Sequence, residues 1–460
     1  MATPRRACAH TYLLLVLLSC CSLQRRAAAQ SQPADEARLL LQIKRALDDS
    51  PVLAAWNVSA ASGGAHCNWP YVRCDAAGRV TSLSFPFTNV TGPFPDAVGE
   101  LTGLTYLDVS YNNIFGAFPT SLYRCGSLQY LNLSQNYFSG ELPADIGRSL
   151  AASLTTLDLN GNEFNGTIPA SLSMLRNLTF LALDTNRFSG TIPADLGELT
   201  SLQELRLAVN PFEAGELPAS FGNLTRLRTL VASQSNLVGE FPSSVLEMQE
   251  LEFLYLSSNS LTGSIPAGVW SLKKLQIFFA FSNSLSGNLA VDGFAAASLT
   301  GIDLSDNKLS GVIPDVFGSL ENLTLLYLFR NNFSGEIPAG IGRLPSLWVL
   351  RLNNNWLNGT LPREIGKQSP NLAYIEVNDN ELTGAIPESL CEGGQLMAFT
   401  ASRNRLNDSI PAGLANCASL QWLRLDNNKL SGQVPEALWT AMQLRVVLKV
   451  FKIGKNRPVR

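Results

Sequence analysis

The chain has 460 residues, of which 15% are charged and 46% are hydrophobic, and its formal net charge at pH 7 is −3. This charge balance gives no electrostatic basis for nucleic-acid binding, and the hydrophobic content argues against disorder. Only two histidines occur, His10 and His66, so histidine-based metal sites and catalytic dyads are nearly excluded. Length alone would suggest about three globular domains of roughly 150 residues each.

Residues 1–29 have the segment order of a secretory signal peptide. Arg5 and Arg6 precede an apolar stretch that begins at Tyr12, and three alanines end at Ala29. The apolar stretch is shorter than the roughly 20 residues that a bilayer span requires. An ordinary buried helix is the alternative. We expect cleavage after Ala29 and a secreted, extracellular product with no membrane span.

Residues 30–80 predict a cap in front of the remaining chain. An amphipathic helix is expected from Asp35 to Leu47, because apolar residues recur there at helical spacing. Cys67 and Cys74 lie close together in a chain expected to be secreted, which predicts a disulfide. A redox or metal-binding pair is the alternative.

Residues 81–440 follow one repeated pattern. Prolines recur every 24 to 26 residues, with one step of 48 that skips Ala290, which gives 15 repeats. An asparagine stands seven residues before most of these positions, and a glycine stands three residues before 14 of the 15. Thr88 and Ser235 depart from the asparagine pattern. The marker prolines are Pro95, Pro119, Pro143, Pro169, Pro193, Pro218, Pro242, Pro266, Pro314, Pro338, Pro362, Pro387, Pro411 and Pro435.

Each repeated position has a physical role in the unit that ends at Pro119. Leu107 and Val109 alternate with polar residues and predict the inward face of a short strand. Asn112 is expected to bond turn backbone on both neighbouring coils, so that stacked asparagines form a ladder. Gly116 permits a turn with positive φ. Because one coil cannot bury its apolar face alone, the coils must stack into an α/β solenoid.

The strand residues that flank the inward leucines are expected to form a concave surface for an extended ligand. Exposed aromatic residues on consecutive strands are natural anchors for a peptide; alternatively, they only cover the core and stack across strands. The early repeats offer Tyr106, Asp108, Tyr111, Tyr130 and Asp158. The candidate ligand-binding residues in the middle and late repeats are Phe253, Tyr255, Phe279, Phe281, Tyr327, Phe329, Arg330, Arg351, Trp422 and Arg424.

The remaining cysteines and the sequons fit a secreted protein. Cys391 and Cys417 occupy nearby places in successive repeats, and adjacent coils are close enough for a second disulfide. Cys125 is expected to pack as a buried thiol.

Asparagine glycosylation motifs occur throughout the chain. One of them, at Asn132, lies on a strand of the concave surface, so a glycan there would obstruct the groove. The ten candidate glycosylation sites are Asn57, Asn89, Asn132, Asn165, Asn177, Asn223, Asn322, Asn332, Asn358 and Asn407.

Residues 441–460 form a basic tail that breaks the repeat. Lys449 falls where an inward leucine is required, and Lys452 falls where the asparagine belongs. We expect a truncated or alternatively spliced product with a tail foreign to the pattern. Contact with acidic wall polymers or a membrane is one interpretation of the basic residues, and a frayed tail is the other.

The repeat is a leucine-rich repeat, and its ending, as in Gly311-Val-Ile-Pro314, resembles the plant-specific subtype. The segment Cys67-Asn-Trp-Pro-Tyr-Val-Arg-Cys74 resembles the N-terminal cap of plant leucine-rich-repeat receptors, with Tyr71 in place of the usual glycine. The chain from Asp35 to about Trp439 is similar to the ectodomains of plant receptor kinases near the HAESA-like group, which implies a receptor truncated before its membrane helix and kinase. This resemblance implies a right-handed superhelix with a parallel sheet on its concave face.

The resemblance also implies function. It indicates a non-catalytic module of plant signalling that binds a secreted peptide and recruits a co-receptor kinase ectodomain near the C-terminal repeats, without cofactor, metal or nucleic acid. Relatives that bind peptide hormones often hold the peptide carboxylate with an Arg-x-Arg pair. The matching positions here are Trp422 and Arg424, so a single guanidinium remains to pair with a carboxylate. The alternative is a secreted inhibitor of a pathogen cell-wall-degrading enzyme, like the shorter polygalacturonase-inhibiting proteins.

Overall fold

The computed structural model describes residues 33–57 and 62–440. The expected signal peptide, residues 1–29, and the expected basic tail, residues 441–460, lie outside the described residues. Within them, no helix is both long enough and apolar enough to cross a membrane.

The cap begins with helix α1, Pro33–Ala46, close to the bounds predicted from its apolar spacing. Leu40, Ile43 and Leu47 are fully buried against the first coils. Asp35 and Glu36 lie in the first turn and basic residues lie in the last, so both ends carry charges that the helix dipole favours. The predicted amphipathic cap helix is therefore confirmed.

A sheet of 16 strands runs along the solenoid, and we call it the concave sheet. Its first two strands pair antiparallel, and every later pair is parallel and in register. In each three-residue strand after Val72–Cys74 the middle residue is buried, as Leu107 and Leu254 show. The strands are Val72–Cys74, Val80–Ser84, Tyr106–Asp108, Tyr130–Asn132, Thr156–Asp158, Phe180–Ala182, Glu204–Arg206, Thr229–Val231, Phe253–Tyr255, Ile277–Phe279, Gly301–Asp303, Leu325–Tyr327, Val349–Arg351, Tyr374–Glu376, Ala398–Thr400 and Trp422–Arg424.

Two shorter parallel sheets lie after the asparagine turns, and we call them the lateral sheets. Between them, isolated bridges at Gly215–Leu237 and Glu240–Thr262 continue the pairing. The first has strands Thr91–Pro93, Asn113–Gly116, Tyr137–Glu141, Glu163–Thr167 and Arg187–Ser189. The second has strands Ser286–Asn288, Lys308–Val312, Asn332–Glu336 and Trp356–Asn358.

The opposite, convex side consists of short helical turns, most of which begin directly after a marker proline. Pro119 has φ of −76°, and its carbonyl accepts the first helical bond from Leu122 at 3.1 Å. The 3-10 turns are Pro51–Leu53, Ser62–Asn68, Asp96–Glu100, Thr120–Arg124, Ala170–Met174, Ala194–Glu198, Ala219–Asn223, Ser243–Glu247, Ala267–Ser271, Asp315–Ser319, Ala339–Arg343 and Glu388–Cys391. Helices α2 (Ile146–Ser149), α3 (Ala412–Ala415) and α4 (Glu436–Thr440) are equally short.

The asparagine ladder exists, with one correction. Nδ2 of Asn112 donates to the carbonyl of Phe85 on the preceding coil at 2.9 Å and to the carbonyls of Val109 and Ser110 on its own coil at 3.0 Å. Its Oδ1 accepts the Val90 amide at 3.0 Å. The amide group is thus used on its own coil and the preceding one, and the expectation that it bonds both neighbouring coils was wrong. The side-chain amide of Asn112 has no further hydrogen-bonding capacity once Nδ2 and Oδ1 have bonded these partners.

Both predicted disulfides are present. Cys67 and Cys74 have a Cα–Cα distance of 5.5 Å, and Cys391 and Cys417 have one of 5.8 Å. Cys125 is buried, and burial raises the pKa of its thiol to about 12, so this cysteine is a protonated, buried thiol as expected.

Among the described residues, only one group of three possible metal ligands occurs. It combines His66 with the disulfide Cys67–Cys74, whose sulfurs are not available as thiolates.

Candidate ligand-binding surface

In the three-residue strands of the concave sheet after Val72–Cys74, the middle residue points to the core, and the first and third residues point to the other side of the sheet. In Phe253–Tyr255, the outer residues are partly exposed and Leu254 is fully buried. In-register pairing sets Tyr255 beside Phe279 of the next strand. Outward side chains therefore form continuous rows along the concave sheet, as the sequence pattern predicted.

The first aromatic group consists of the candidate residues Phe253, Tyr255, Phe279 and Phe281. The rings of Tyr255 and Phe279 meet edge to face, with centroids 5.5 Å apart and planes at 80°. Packing across strands is thus confirmed for this pair. All four side chains remain partly exposed, so the group still presents apolar surface to the groove.

A second aromatic group contains Tyr327 and Phe329, with ring centroids 6.2 Å apart. The strand Gly301–Asp303 separates it from the first group, because that strand carries no side chain at its first position and an aspartate, 9% exposed, at its third. The predicted aromatic run is therefore two groups rather than one. The guanidinium of Arg351 lies 4.9 Å from the Tyr327 ring centroid, close enough for a cation–π contact.

The concave sheet ends in a hollow of about 570 Å³, which we call the late hollow. It brings together the predicted residues Arg351, Trp422 and Arg424. Its complete lining is Arg351, Tyr374, Glu376, Asn378, Met397, Ala398, Thr400, Gln421, Trp422 and Arg424. An aromatic face, a thioether and charges of both signs thus surround one space.

The arginines among the candidate residues each have an acidic neighbour. Nε of Arg351 lies 3.1 Å from Oε1 of Glu376. Nε of Arg424 donates to Oδ1 of Asp426 at 3.1 Å. Arg330 pairs with Asp306 on the neighbouring coil at 3.2 Å. A guanidinium has five N–H donors, so a ligand carboxylate could share Arg424, although it would compete with Asp426.

The sequence reasoning missed several lining residues of the late hollow, among them Tyr374 and Met397. Tyr374 stands at the same strand position as Trp422, so reading that column along the repeats would have found it. The Tyr374 hydroxyl lies 3.5 Å from the Met397 sulfur, and its ring meets Trp348 edge to face at 5.6 Å. Met397 lies immediately before the strand Ala398–Thr400. It does not stand at one of the recurring positions of the repeat, so the sequence pattern gave no reason to select it.

The early part of the concave surface is acidic and aromatic. Tyr106 and Tyr130 stack with centroids 4.2 Å apart. Burial raises the pKa of the Asp158 carboxyl to about 6, and the nearby Asp184 and Asp108 carboxylates add to this effect. Burial also raises the pKa of Asp184. A carboxyl with a pKa near 6 gains or loses its proton close to neutral pH, so the charge of this surface changes there.

Family models agree with this geometry. The leucine rich repeat N-terminal domain matches residues 33–75, and leucine rich repeats match residues 297–357 and five further segments. The structure of a TDR receptor is similar over 81% of this chain and 68% of that chain, with 34% identity and a TM-score of 0.74. The chain belongs to the leucine-rich-repeat family.

Several of the solved structures similar to this chain are leucine-rich-repeat receptor ectodomains. The ectodomain of the Arabidopsis receptor kinase HAESA, in complex with an N-terminally extended IDA peptide hormone, is 27% identical over 90% of this chain and 89% of that chain, with a TM-score of 0.56. A second HAESA structure, with IDA and the co-receptor SERK1, is 26% identical over 89% of this chain and 88% of that chain, with a TM-score of 0.52.

Curated relatives are matched over shorter stretches. Polygalacturonase inhibitor 1 of Oryza sativa subsp. japonica is 33% identical over 100 residues, which is 22% of this chain and 29% of the inhibitor. The leucine-rich-repeat chain spans less than a third of the length of the curated relatives that it matches.

The ten sequons of this leucine-rich-repeat chain differ in exposure. Nine of the ten asparagines are exposed. The exception is Asn132, whose side chain is 9% exposed and accepts hydrogen bonds from the amide and hydroxyl of Ser134. A glycan on Asn132 would require this side chain to leave its place in the concave sheet, so this site is the least accessible of the ten.

Proposed function

We propose that the chain is an extracellular recognition module that binds a secreted peptide along its concave face, in plant signalling, and that it acts by binding rather than by catalysis. The observation that carries this proposal is the in-register row of partly exposed aromatic side chains that leads into the late hollow. The HAESA ectodomain, which aligns over 89% of its length, supports it because that structure holds a peptide hormone.

The geometry suggests how an extended peptide would be held. Apolar side chains of the peptide would rest on the two aromatic groups, where partly exposed rings lose water on contact. A charged end of the peptide would meet the late hollow, where Arg351 and Arg424 stand beside Glu376 and Asp426. Because both signs of charge are present, the hollow favours a group that can donate and accept hydrogen bonds together.

Peptide binding can be tested by replacing two exposed tryptophans, one inside the proposed binding surface and one outside it. Trp422 lies in the late hollow and is 46% exposed, whereas Trp356 lies on a lateral sheet and is 60% exposed. The secreted chain would be used to capture peptides from a secreted-peptide library, and affinities would be measured by calorimetry. Trp422→Ala is expected to weaken binding by about 1 kcal/mol or more, and Trp356→Ala is expected to leave it unchanged.

Two results would contradict the peptide proposal. One is that no library peptide is retained by the wild-type chain. The other is that Trp356→Ala weakens binding as much as Trp422→Ala does, which would place the ligand outside the concave sheet. Replacing Phe279 and Phe281 by alanine tests the first aromatic group in the same assay.

Recruitment of a co-receptor kinase ectodomain belongs to the same proposal, supported by the HAESA structure that contains SERK1. Size-exclusion chromatography with peptide and a co-receptor ectodomain tests it. A complex that forms only when peptide is present is the expected result.

A second candidate function is inhibition of a pathogen polygalacturonase. It is favoured by the 33% identity to the rice inhibitor over 100 residues. The test is the rate of polygalacturonate cleavage by fungal enzymes with increasing amounts of the chain. Inhibition without peptide capture would replace the receptor proposal with this one.

A further inference from the structure

Trp356 is an exposed aromatic side chain on the second lateral sheet that the concave-face proposal leaves unexplained. It is 60% exposed, and exposure of an indole to water is costly unless something covers it. Trp356 and Asn358 are the first and third residues of the strand Trp356–Asn358, whose burial pattern is exposed, buried, exposed. Because alternate residues of a strand point to one side, the indole and the sequon amide share a face.

We propose that the glycan on Asn358 packs its first N-acetylglucosamine on the indole of Trp356. Residues two apart in a strand are separated by roughly 7 Å, which is about the reach from an asparagine amide to the ring of a sugar attached to it. The C–H groups on one face of a sugar ring carry partial positive charge, and the face of an aromatic ring carries negative charge. The contact would remove apolar surface of both partners from water.

The chemistry of attachment requires an activated sugar donor and the secretory pathway, so the inference rests on the proposed secretion of the chain but not on its peptide ligand. Nδ2 of Asn358 attacks C1 of N-acetylglucosamine in a lipid-linked oligosaccharyl diphosphate. The N–C1 bond forms, the bond between C1 and the phosphate oxygen breaks, the lipid diphosphate leaves, and the amide loses one proton. Asn358-Gly-Thr360 supplies the sequon, and the Asn358 side chain is exposed.

At two other sequons in the same place of their coils, the residue two before the asparagine is not aromatic. Asn165 and Asn407 also stand three residues after their ladder asparagines and are exposed. The residue two before Asn407 is Arg405, which pairs with Glu381 of the preceding coil at 2.7 Å. The residue two before Asn165 is Glu163, which pairs with Arg187 at 3.2 Å. Those neighbours are charged and bonded within the protein, whereas the neighbour of Asn358 is an exposed indole.

The same spacing of residues on the concave sheet gives a different outcome. Tyr130-Leu-Asn132-Leu-Ser134 also places an aromatic residue two before a sequon. There the Tyr130 ring stacks on Tyr106, and Asn132 is buried. The sequence pattern alone therefore does not identify the Trp356–Asn358 pair.

Phe87 and Asn89 are a second pair with both side chains exposed, but there the Phe87 ring stacks on Tyr111 with centroids 4.1 Å apart, and Oδ1 of Asn89 accepts a hydrogen bond from Asn113. The Trp356–Asn358 pair differs because both exposed side chains stand on one face of a single strand.

The test measures the solvent accessibility of Trp356 in the chain secreted from plant cells. Glycopeptide mass spectrometry is expected to find Asn358 occupied. Hydroxyl-radical footprinting is then expected to oxidise Trp356 several-fold faster in Asn358→Gln than in the wild-type chain. Asn407→Gln is the matched control, and it should leave the oxidation of Trp356 unchanged. Trp348, 51% exposed on the concave side, serves as an internal reference whose oxidation should be equal in all three proteins.

The inference is overturned if Asn358 is unmodified while other sequons of the secreted chain carry glycans. It is equally overturned if Trp356 is oxidised at the same rate with and without the Asn358 glycan. Neither result would bear on peptide capture by the concave sheet, so failure here can be told apart from failure of the receptor proposal.

Discussion

At the scale of single residues, the turn before each ladder asparagine combines satisfied hydrogen bonds with an unusual backbone conformation. In all 15 repeats the preceding residue has positive φ, between 51° and 64°. Gly161 is the only glycine at this position. A residue with a side chain in the left-handed region costs about 1–2 kcal/mol, and the bonds made by the following asparagine hold it there.

Val209 is a costly occupant of this turn, because it is β-branched and has φ of 56°; Thr185 is the other β-branched residue at this position. The Val209 side chain is 46% exposed, so little buried contact is lost on replacement. Val209→Asn is expected to stabilise the chain by about 1 kcal/mol, since asparagine tolerates this conformation. Urea denaturation provides the measurement, and Gly161→Val should move stability in the opposite direction. A lower stability for Val209→Asn would contradict this account.

The Asp158 carboxyl gives a pH-dependent prediction. Burial raises its pKa to about 6 in the folded chain, above the unfolded value of about 3.9. The folded state therefore holds the proton more tightly, and this carboxyl lowers stability progressively as pH rises from about 4 to about 6. Asp158→Asn is expected to have the wild-type Tm near pH 4 and a higher Tm at pH 7, corresponding to on the order of 1–2 kcal/mol. A difference in Tm that does not change with pH would show that Asp158 titrates normally.

At the scale of elements, neighbouring coils approach most closely where convex turns place glycine against backbone. A Cβ added to Gly318 would lie 2.5 Å from the Cα of Gly340 in the next turn. Gly222 occupies the same place in the turn Ala219–Asn223, but a Cβ there would come no closer than 3.4 Å to a flexible glutamate. The two glycines thus differ in tertiary contact and not in local conformation.

Gly318→Ala is expected to destabilise the chain by about 1–3 kcal/mol, because backbone must move to admit the methyl group. Gly222→Ala should be neutral or slightly stabilising, since it removes chain entropy from the unfolded state without a clash. Both variants would be compared by thermal and urea denaturation. Equal effects would mean that the convex turns adapt freely to one another.

Some of this organisation was predictable from sequence and some was not. The period, the cap helix, both disulfides and the buried strand centres follow from spacing and polarity, since each depends on residue type at a fixed position. The positive φ before each ladder position has no such signal, because the residues there range from Phe87 to Arg330. The inclusion of Met397 in the late hollow depends on how side chains lean across strands, whereas the division of the aromatic run follows from Gly301, a residue visible in the sequence.

At the scale of the whole molecule, the described residues share one hydrophobic core. It extends from Ala37 in α1 to Leu438 in α4 without a break into separate clusters. Length alone would have suggested three globular domains, whereas the repeat makes the chain a stack in which each coil contacts its neighbours. Stability is therefore expected to be lowest at the ends and highest in the middle.

Hydrogen exchange can test this gradient. In the intact chain, the amides of the middle strand Thr229–Val231 are expected to exchange most slowly. Reduction of Cys67–Cys74 and Cys391–Cys417 should speed exchange in the outer coils first, because the disulfides constrain only the coils next to them. Mass spectrometry of fragments resolves the two regions. Simultaneous loss of protection in all coils would indicate a single cooperative unit instead.

The sequence by itself determined the kind of molecule: a capped leucine-rich-repeat solenoid with a concave sheet and two disulfides. It could do so because those features depend on residue type at positions that recur in register. The tertiary structure alone decided which outward side chains meet, which arginines are already paired, and which sequons stand beside an exposed indole. Those properties depend on the register between coils and on side-chain direction, and identical local sequence patterns, as at Tyr130 and Trp356, have different surroundings once the coils are stacked.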